Sequence, residues 1–270
     1  KAMGCMGSAL QGTNTIPVAV PQPSIRDETV KAKLCHDKRA RTATNRDEGN
    51  APSTNNIRLA AKAINGTIRN PGDEFSYNGT VGERTAARGY QEAHAYSGGK
   101  IIDEFGGGVC QPSSTLYMAV LRADLKVTER HNHSFTVSYT PLGEDATVDY
   151  GNLDFRFVNN TAYPVKILAE QSDGQMIMTI VGTKTSDKTV TTRTEVLETY
   201  KPETVKKTDS SMEAGESREE TSGITGYSTK TYKQTTETGK TTEVVPYRST
   251  YSKRADADYA GAYKIQRRIF

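Results

Sequence analysis

At 270 residues the chain is long enough for one sizeable core with one or two small satellites. Its 34% apolar and 25% charged residues make a polar but foldable composition. The net charge, 35 − 32 = +3, and the scatter of the basic residues exclude a nucleic-acid footprint, and no apolar run approaches the roughly 18–20 residues of a membrane span.

Taken in chain order, the opening is weakly patterned. No signal peptide is legible, and residues 1–11 read as the middle of something, so we expect a soluble piece of a longer protein. Residues 15–21 alternate as a Pro-bounded strand and 24–33 suit a short helix, together the tail of a preceding domain plus a linker. Residues 36–52 read as a polar loop. A helix is then predicted, capped by Ser53 or Thr54, with Ile57, Ala60, Ala61 and Ile64 on one face and Gly66 as its stop. Asn70-Pro71-Gly72-Asp73 is a turn by composition, followed by a short strand at 75–77.

A second helix is predicted over residues 112–123, with Pro112 at its first position and Leu116, Tyr117, Val120 and Leu121 as its buried stripe. Strand-like runs follow at 126–130, 134–139, 147–150, 154–158, 165–169 and 176–181. From about residue 185 Thr, Glu, Lys and Tyr dominate, and β-branched runs such as 189–196 predict thin, half-exposed strands. The fold class expected is α+β: a domain with two main helices and an antiparallel sheet over 36–184, preceded by a tail at 1–35 and followed by a thin all-β module at 185–270.

The sharpest feature is Gly106-Gly107-Gly108-Val109-Cys110-Gln111-Pro112-Ser113-Ser114. The glycines permit positive φ and leave room for a substrate to approach. Cys110 stands at the start of a helix, where unpaired N–H groups and the helix dipole favour an anion, so its thiolate is more available as a nucleophile. The same N–H groups can hold a tetrahedral oxyanion, with the Gln111 side chain as an extra donor. The bland alternative is a small buried hydrophobe. The three cysteines are Cys5, Cys35 and Cys110, and the odd count leaves at least one free thiol; no Cys-x-x-Cys spacing occurs, and no Cys5–Cys35 disulfide is predicted.

Arg130-His131-Asn132-His133-Ser134 supplies candidate bases, since in a strand His131 and His133 share a face. Two histidines at i, i+2 can also ligate a metal, but no third ligand stands nearby. Asp145 either orients the base or is an ordinary turn aspartate, and Arg130 either binds a substrate carboxylate or is a surface charge. His36 and His94 have no motif around them.

These residues, with Asn56-Ile57-Arg58-Leu59-Ala60-Ala61, Asn70-Pro71-Gly72-Asp73-Glu74-Phe75-Ser76, Glu129-Arg130-His131-Asn132-His133-Ser134 and Gly143-Glu144-Asp145-Ala146-Thr147, resemble the VanW family over about 36–183. Gln111-Pro112-Ser113 departs mildly from the Gln-Val-Ser that the family pattern allows. Gly223-Ile224-Thr225-Gly226-Tyr227 and Thr238-Gly239-Lys240 make the tail similar to the G-five domain, and the first thirty residues look like the end of a peptidoglycan-binding-like domain.

The resemblance implies a Gram-positive, extracellular wall protein and an L,D-transpeptidase of peptidoglycan stem peptides that works through a cysteine acyl-enzyme. It implies Cys110 as nucleophile, His133 as the preferred base with His131 as the other, Asp145 as orienter, and Arg130, Gly107, Gly108, Gln111 and Ser113 around the substrate. No metal or other cofactor and no nucleic acid is implied; a membrane enters only through an outside anchor, and a monomer is expected. The competing readings are a non-catalytic peptidoglycan-binding module and a thiol peptidase or amidase in which water replaces the acceptor amine.

Overall fold

The computed structural model describes residues 35–46, 49–97, 100–209, 211–212 and 216–261. The strand expected at 15–21, the helix at 24–33 and Cys5 lie outside the described residues.

The first described element is a strand where a loop is expected: β1, Asp37–Asn45. Its polar composition hides an alternation in which Ala40, Thr42 and Thr44 turn inward. The inward hydroxyls are satisfied: Thr42 Oγ1 donates to the Thr115 carbonyl at 2.7 Å, and the Thr44 and Thr115 hydroxyls meet at 2.8 Å. Helix α1, Ala51–Ile64, begins earlier than expected, because the Asn50 side chain caps it by accepting from the Ser53 amide at 3.0 Å. Ile57, Ala60, Ala61 and Ile64 are buried, and Gly66 turns the chain at φ +84°.

Strands β2 (Ile68–Arg69) and β3 (Glu74–Ser76) follow. The expected strand stops at Ser76, whose hydroxyl accepts from the Gly79 amide and starts the short helix α2, Tyr77–Val81. A hairpin not foreseen in the sequence, β4 (Glu92–Ser97) with β5 (Lys100–Phe105), leads into α3, Cys110–Arg122. Every residue of α3 from Gln111 to Leu121 is buried, so the helix is enclosed on all sides.

Strands β6 (Lys126–Glu129), β7 (Arg156–Val158), β8 (Val165–Ser172) and β9 (Gln175–Gly182) complete this part. One antiparallel sheet has the order β1-β9-β8-β2, with α3 packed over β1 and β9 and α1 over β8; a second has the order β3-β7-β6. The strands expected at 134–139 and 147–150 do not form. That stretch runs as loops with only the isolated pairings His131–Thr147 and Asp149–Leu153, because its polar groups bond to α3 and to one another instead of a ladder.

The remainder is all-β: β10 (Thr189–Tyr200), β11 (Thr204–Asp209), β12 (Ser217–Thr221), β13 (Gly226–Glu237), β14 (Lys240–Tyr251) and β15 (Asp256–Gly261). They make two three-stranded sheets, β10-β13-β14 and β11-β15-β12, the latter containing the parallel pair β11/β15. The architecture is α+β followed by an all-β module. The module is joined to the first part by polar contacts: Lys188 and Lys233 both reach Asp124, at 2.8 and 2.7 Å, Thr194 Oγ1 donates to the Leu142 carbonyl, and Thr192 Oγ1 donates to Glu144.

Candidate active site

The glycine run builds the approach to α3. Gly106 and Gly108 take φ of +88° and +98°, and Gly107 lies so close to β4 that an added Cβ would stand 2.2 Å from the Ala93 carbonyl oxygen. At Gly108 it would stand 2.2 Å from Ser53 Oγ. These glycines are closed against the chain itself, which corrects the expectation that Gly107 and Gly108 leave space for substrate. Asn56 fixes the turn from α1: it is fully buried, and its Nδ2 donates to the carbonyls of Gln91 and Gly107 at 2.8 and 3.0 Å. Tyr77 donates to the Val109 carbonyl at 2.7 Å. Cys110 is the first residue of α3, and Pro112 falls in the first turn, where its missing N–H costs nothing.

The Cys110 sulfur is part-buried. It lies 3.4 Å from both the amide nitrogen and the carbonyl oxygen of Val148, and 3.5 Å from Thr147 Oγ1. As a thiolate it accepts from the amide and the hydroxyl. His133 is within side-chain hydrogen-bonding reach of it. The imidazole Nδ1 meets Asp145 Oδ2 at 2.6 Å, which leaves Nε2 toward the sulfur, with Tyr139 Oη 3.4 Å from that nitrogen. The His133 amide also donates to Asp145 Oδ2, at 2.7 Å.

Burial pushes the Cys110 thiol up, but the hydrogen bond and charge of His133, with Thr147 and the Val148 amide, outweigh it and bring the thiol below its ordinary value. Burial works against protonation of His133, but Asp145 and Cys110 overcome it and raise the imidazole to about 9. Asp145 is pushed up by burial and pulled down further by His133 and Arg130, to about 2. The arrangement can therefore hold a thiolate–imidazolium pair backed by a buried carboxylate.

Cys110, His133 and Asp145 come together; His131 does not join them. Its Nε2 turns to Glu129 at 3.2 Å, on the partly exposed side, because β6 ends at Glu129 and the two histidines no longer share a strand face. Among the described residues no group of three or more His, Cys, Asp or Glu side chains is placed to hold a metal ion.

Arg130 requires correction as a substrate contact. Its side chain is 2% exposed, and its guanidinium donates to Asp145 Oδ1 at 3.0 Å, to the Asp145 carbonyl at 2.6 Å and to Ser249 Oγ at 2.8 Å. Gln111 is likewise committed, its Nε2 donating to Thr44 Oγ1 and the Asn45 carbonyl, so it is no free oxyanion donor. Ser113 is fully buried within α3, closed off from solvent.

Two residues that sequence reasoning missed stand close by. Tyr139 belongs to the segment expected as a strand. Arg84 lies with its guanidinium 5.7 Å from the rings of both Tyr77 and Tyr150, its three nitrogens without a hydrogen-bond partner among the described residues. Only its position, well upstream of the glycine run, is legible in sequence. A cleft of about 530 Å³, lined by Ser76, Asn78, Glu129, Tyr150, Asp154 and Arg156 among others, contains none of the expected site residues. No helix among the described residues is long and apolar enough to cross a membrane.

Comparison with known proteins places this geometry in context. A family model described as "VanW like protein" matches residues 53–181, and one described as "G5 domain" matches residues 188–257. The chain is similar to "Uncharacterized protein YoaR" of Bacillus subtilis (strain 168), 37% identical over 172 residues, which span 63% of this chain and 57% of that protein. It is also similar to "Vancomycin B-type resistance protein VanW" of Enterococcus faecalis (strain ATCC 700802 / V583), 30% identical over 127 residues, 45% of this chain and 46% of that one. The chain thus spans about half the length of the curated relatives it matches. Among solved structures, "IgA1 Protease G5 domain structure" is matched over 30% of this chain and all of that one, at 12% identity and a TM-score of 0.22.

Proposed function

From the premise that this chain carries a VanW-family domain followed by a G5 domain, we propose that it is an extracellular cell-wall enzyme that cross-links peptidoglycan stem peptides by L,D-transpeptidation. The observation that carries the reading is the convergence of Cys110, at the N-terminus of a buried helix, with the His133–Asp145 pair.

In the first half-reaction the Cys110 thiolate attacks the carbonyl carbon of the L-to-D peptide bond of a donor stem. The oxyanion forms beside the start of α3, where the helix dipole favours negative charge. The C–N bond then breaks, and His133 gives its proton to the departing amine of the terminal D-residue, leaving a thioester on Cys110. In the second half-reaction the side-chain amine of a diamino acid on a neighbouring stem attacks the thioester. His133 takes the amine proton, the new amide forms, and the thiolate is released. Asp145 keeps the imidazole in the tautomer that presents Nε2. The departing D-residue carries a carboxylate; since Arg130 is spent on Asp145, Arg84 is the cation assigned to it, with the half-exposed Tyr150 ring moving aside.

The test is product mass spectrometry on purified tetrapeptide muropeptides incubated with the chain and with Cys110→Ala. The expected result is cross-linked dimers and free D-residue from the parent and neither from the variant. Trimmed monomers alone mean that water is the acceptor, which overturns transfer in favour of a peptidase. Equal cross-linking by Cys110→Ala overturns the cysteine mechanism.

A further inference from the structure

Four hydrogen bonds converge on the Asp145 carboxylate, and one of them comes from the C-terminal module. Oδ2 receives the His133 amide and ring nitrogen; Oδ1 receives Arg130 and the phenol of Tyr251, at 2.5 Å and 106 residues away in sequence. Tyr251 is 1% exposed. Its oxygen also accepts from the Gly143 amide at 2.8 Å, so the phenol is held at both its donor and acceptor sides.

From this convergence we propose that Tyr251 is a positioning residue for the Cys110–His133 pair, which makes the G5 module a working wall of the active site and not only an appended domain. The proposal rests on the cysteine mechanism set out above. Strand periodicity carries it beyond a single contact. Tyr247, Ser249 and Tyr251 alternate along β14, so their side chains share one face, and that face meets the site. Ser249 accepts from Arg130 Nη1, and the Arg130 guanidinium lies against the rings of both Tyr117 and Tyr247, 5.1 and 5.6 Å from their centroids, the two rings themselves meeting edge to face. From β13, Thr231 Oγ1 donates to the Gly143 carbonyl at 3.1 Å. Asp145 and its neighbours are thus gripped from behind by side chains of the second module.

The physical consequence is twofold. With Oδ1 pinned, the carboxylate cannot turn about its own bond, and the imidazole bonded to Oδ2 keeps its direction toward the sulfur. The phenol also draws negative charge from the carboxylate and so tempers its hold on the imidazolium. Burial and the charge of Asp145 push the Tyr251 phenol well above its ordinary value, so it stays a neutral donor. The titratable groups facing His133 and its carboxylate are Cys110 from α3, Tyr139 from the loop after His133, Arg130 after β6, and Tyr251 from β14.

The test uses the full chain with Tyr251→Phe, which removes the hydroxyl and keeps the ring. Three readouts are taken: the His133 titration by NMR, kcat and KM separately, and the thermal midpoint. The expected result is an upward shift of the His133 pKa and a kcat lower by about tenfold with KM unchanged, in a folded protein. Parent-like His133 titration and kcat in folded Tyr251→Phe overturn the proposal. Should that variant fail to fold, Ser249→Ala is expected to lower kcat without moving KM, and a parent-like kcat there overturns it instead. The NMR titration needs no turnover, so failure of the cysteine mechanism in the Cys110→Ala experiment is distinguishable from failure of this proposal.

Discussion

Burial alone would leave Cys110 a neutral thiol; its neighbours reverse that. The thiol is lowered by His133, Thr147 and the Val148 amide, and His133 is raised to about 9 by Asp145 and Cys110, so each group favours the charged form of the other. The pH profile of kcat/KM for acylation is expected to rise as Cys110 loses its proton below the ordinary thiol range and to fall as His133 loses its proton near 9. A basic limb near the ordinary histidine value would show that Asp145 and Cys110 do not hold that proton. Arg84→Met is expected to raise KM for donors with a free terminal carboxylate by about tenfold and leave donors amidated at that position unchanged. Steady-state kinetics on the acid–amide pair checks it. At this scale much of the candidate site is legible in sequence: a Cys after glycines at a helix start, a histidine about twenty residues on, of which the sequence offers two, and an acid after a turn. What is not legible is the allocation of partners. Whether Arg130 meets solvent or Asp145 depends on Tyr247 and Ser249, more than a hundred residues away.

The glycine turn and α3 act as one element. The turn closes on β4 through Gly107, is tied to α1 by Asn56, and delivers Cys110 at the first helical position. Gly107→Ala would force a methyl against a backbone oxygen, which cannot step aside as a side-chain end can. It is expected to destabilise the chain by about 1–3 kcal/mol and to misplace Cys110. Denaturant unfolding and the transfer assay measure both; a variant as stable and active as the parent would mean that the turn does not close on β4. The two main helices are readable from apolar spacing because a helix must bury a face. β1 is not readable, because its inward residues include threonines whose hydroxyls find partners only on α3. The loops at 134–139 and 147–150 alternate like strands, yet Tyr139, Thr147 and Val148 turn polar groups to His133 and Cys110.

At the scale of the whole molecule, the composition shift near residue 185 marks the second module correctly as thin and β-rich, but composition carries no hint of where that module docks. The docking combines the Tyr247 ring packed on Tyr117 with specific polar contacts: Asp124 takes two lysines, Glu144 and Leu142 take two threonines, and Asp145 takes a tyrosine. Such contacts are invisible to any reading of one segment at a time, since each pairs residues with no shared period.

The tyrosine contact also sets an order of events. A chain synthesised from its N-terminus presents Cys110, His133 and Asp145 well before Tyr251, which follows Asp145 by 106 residues. A nascent chain, or one clipped within the last module, carries the thiol, the imidazole and the carboxylate without the strand behind them. If Tyr251 positions the pair as proposed, the site is complete only once β14 is in place, and a cut before Tyr251 is expected to remove its support.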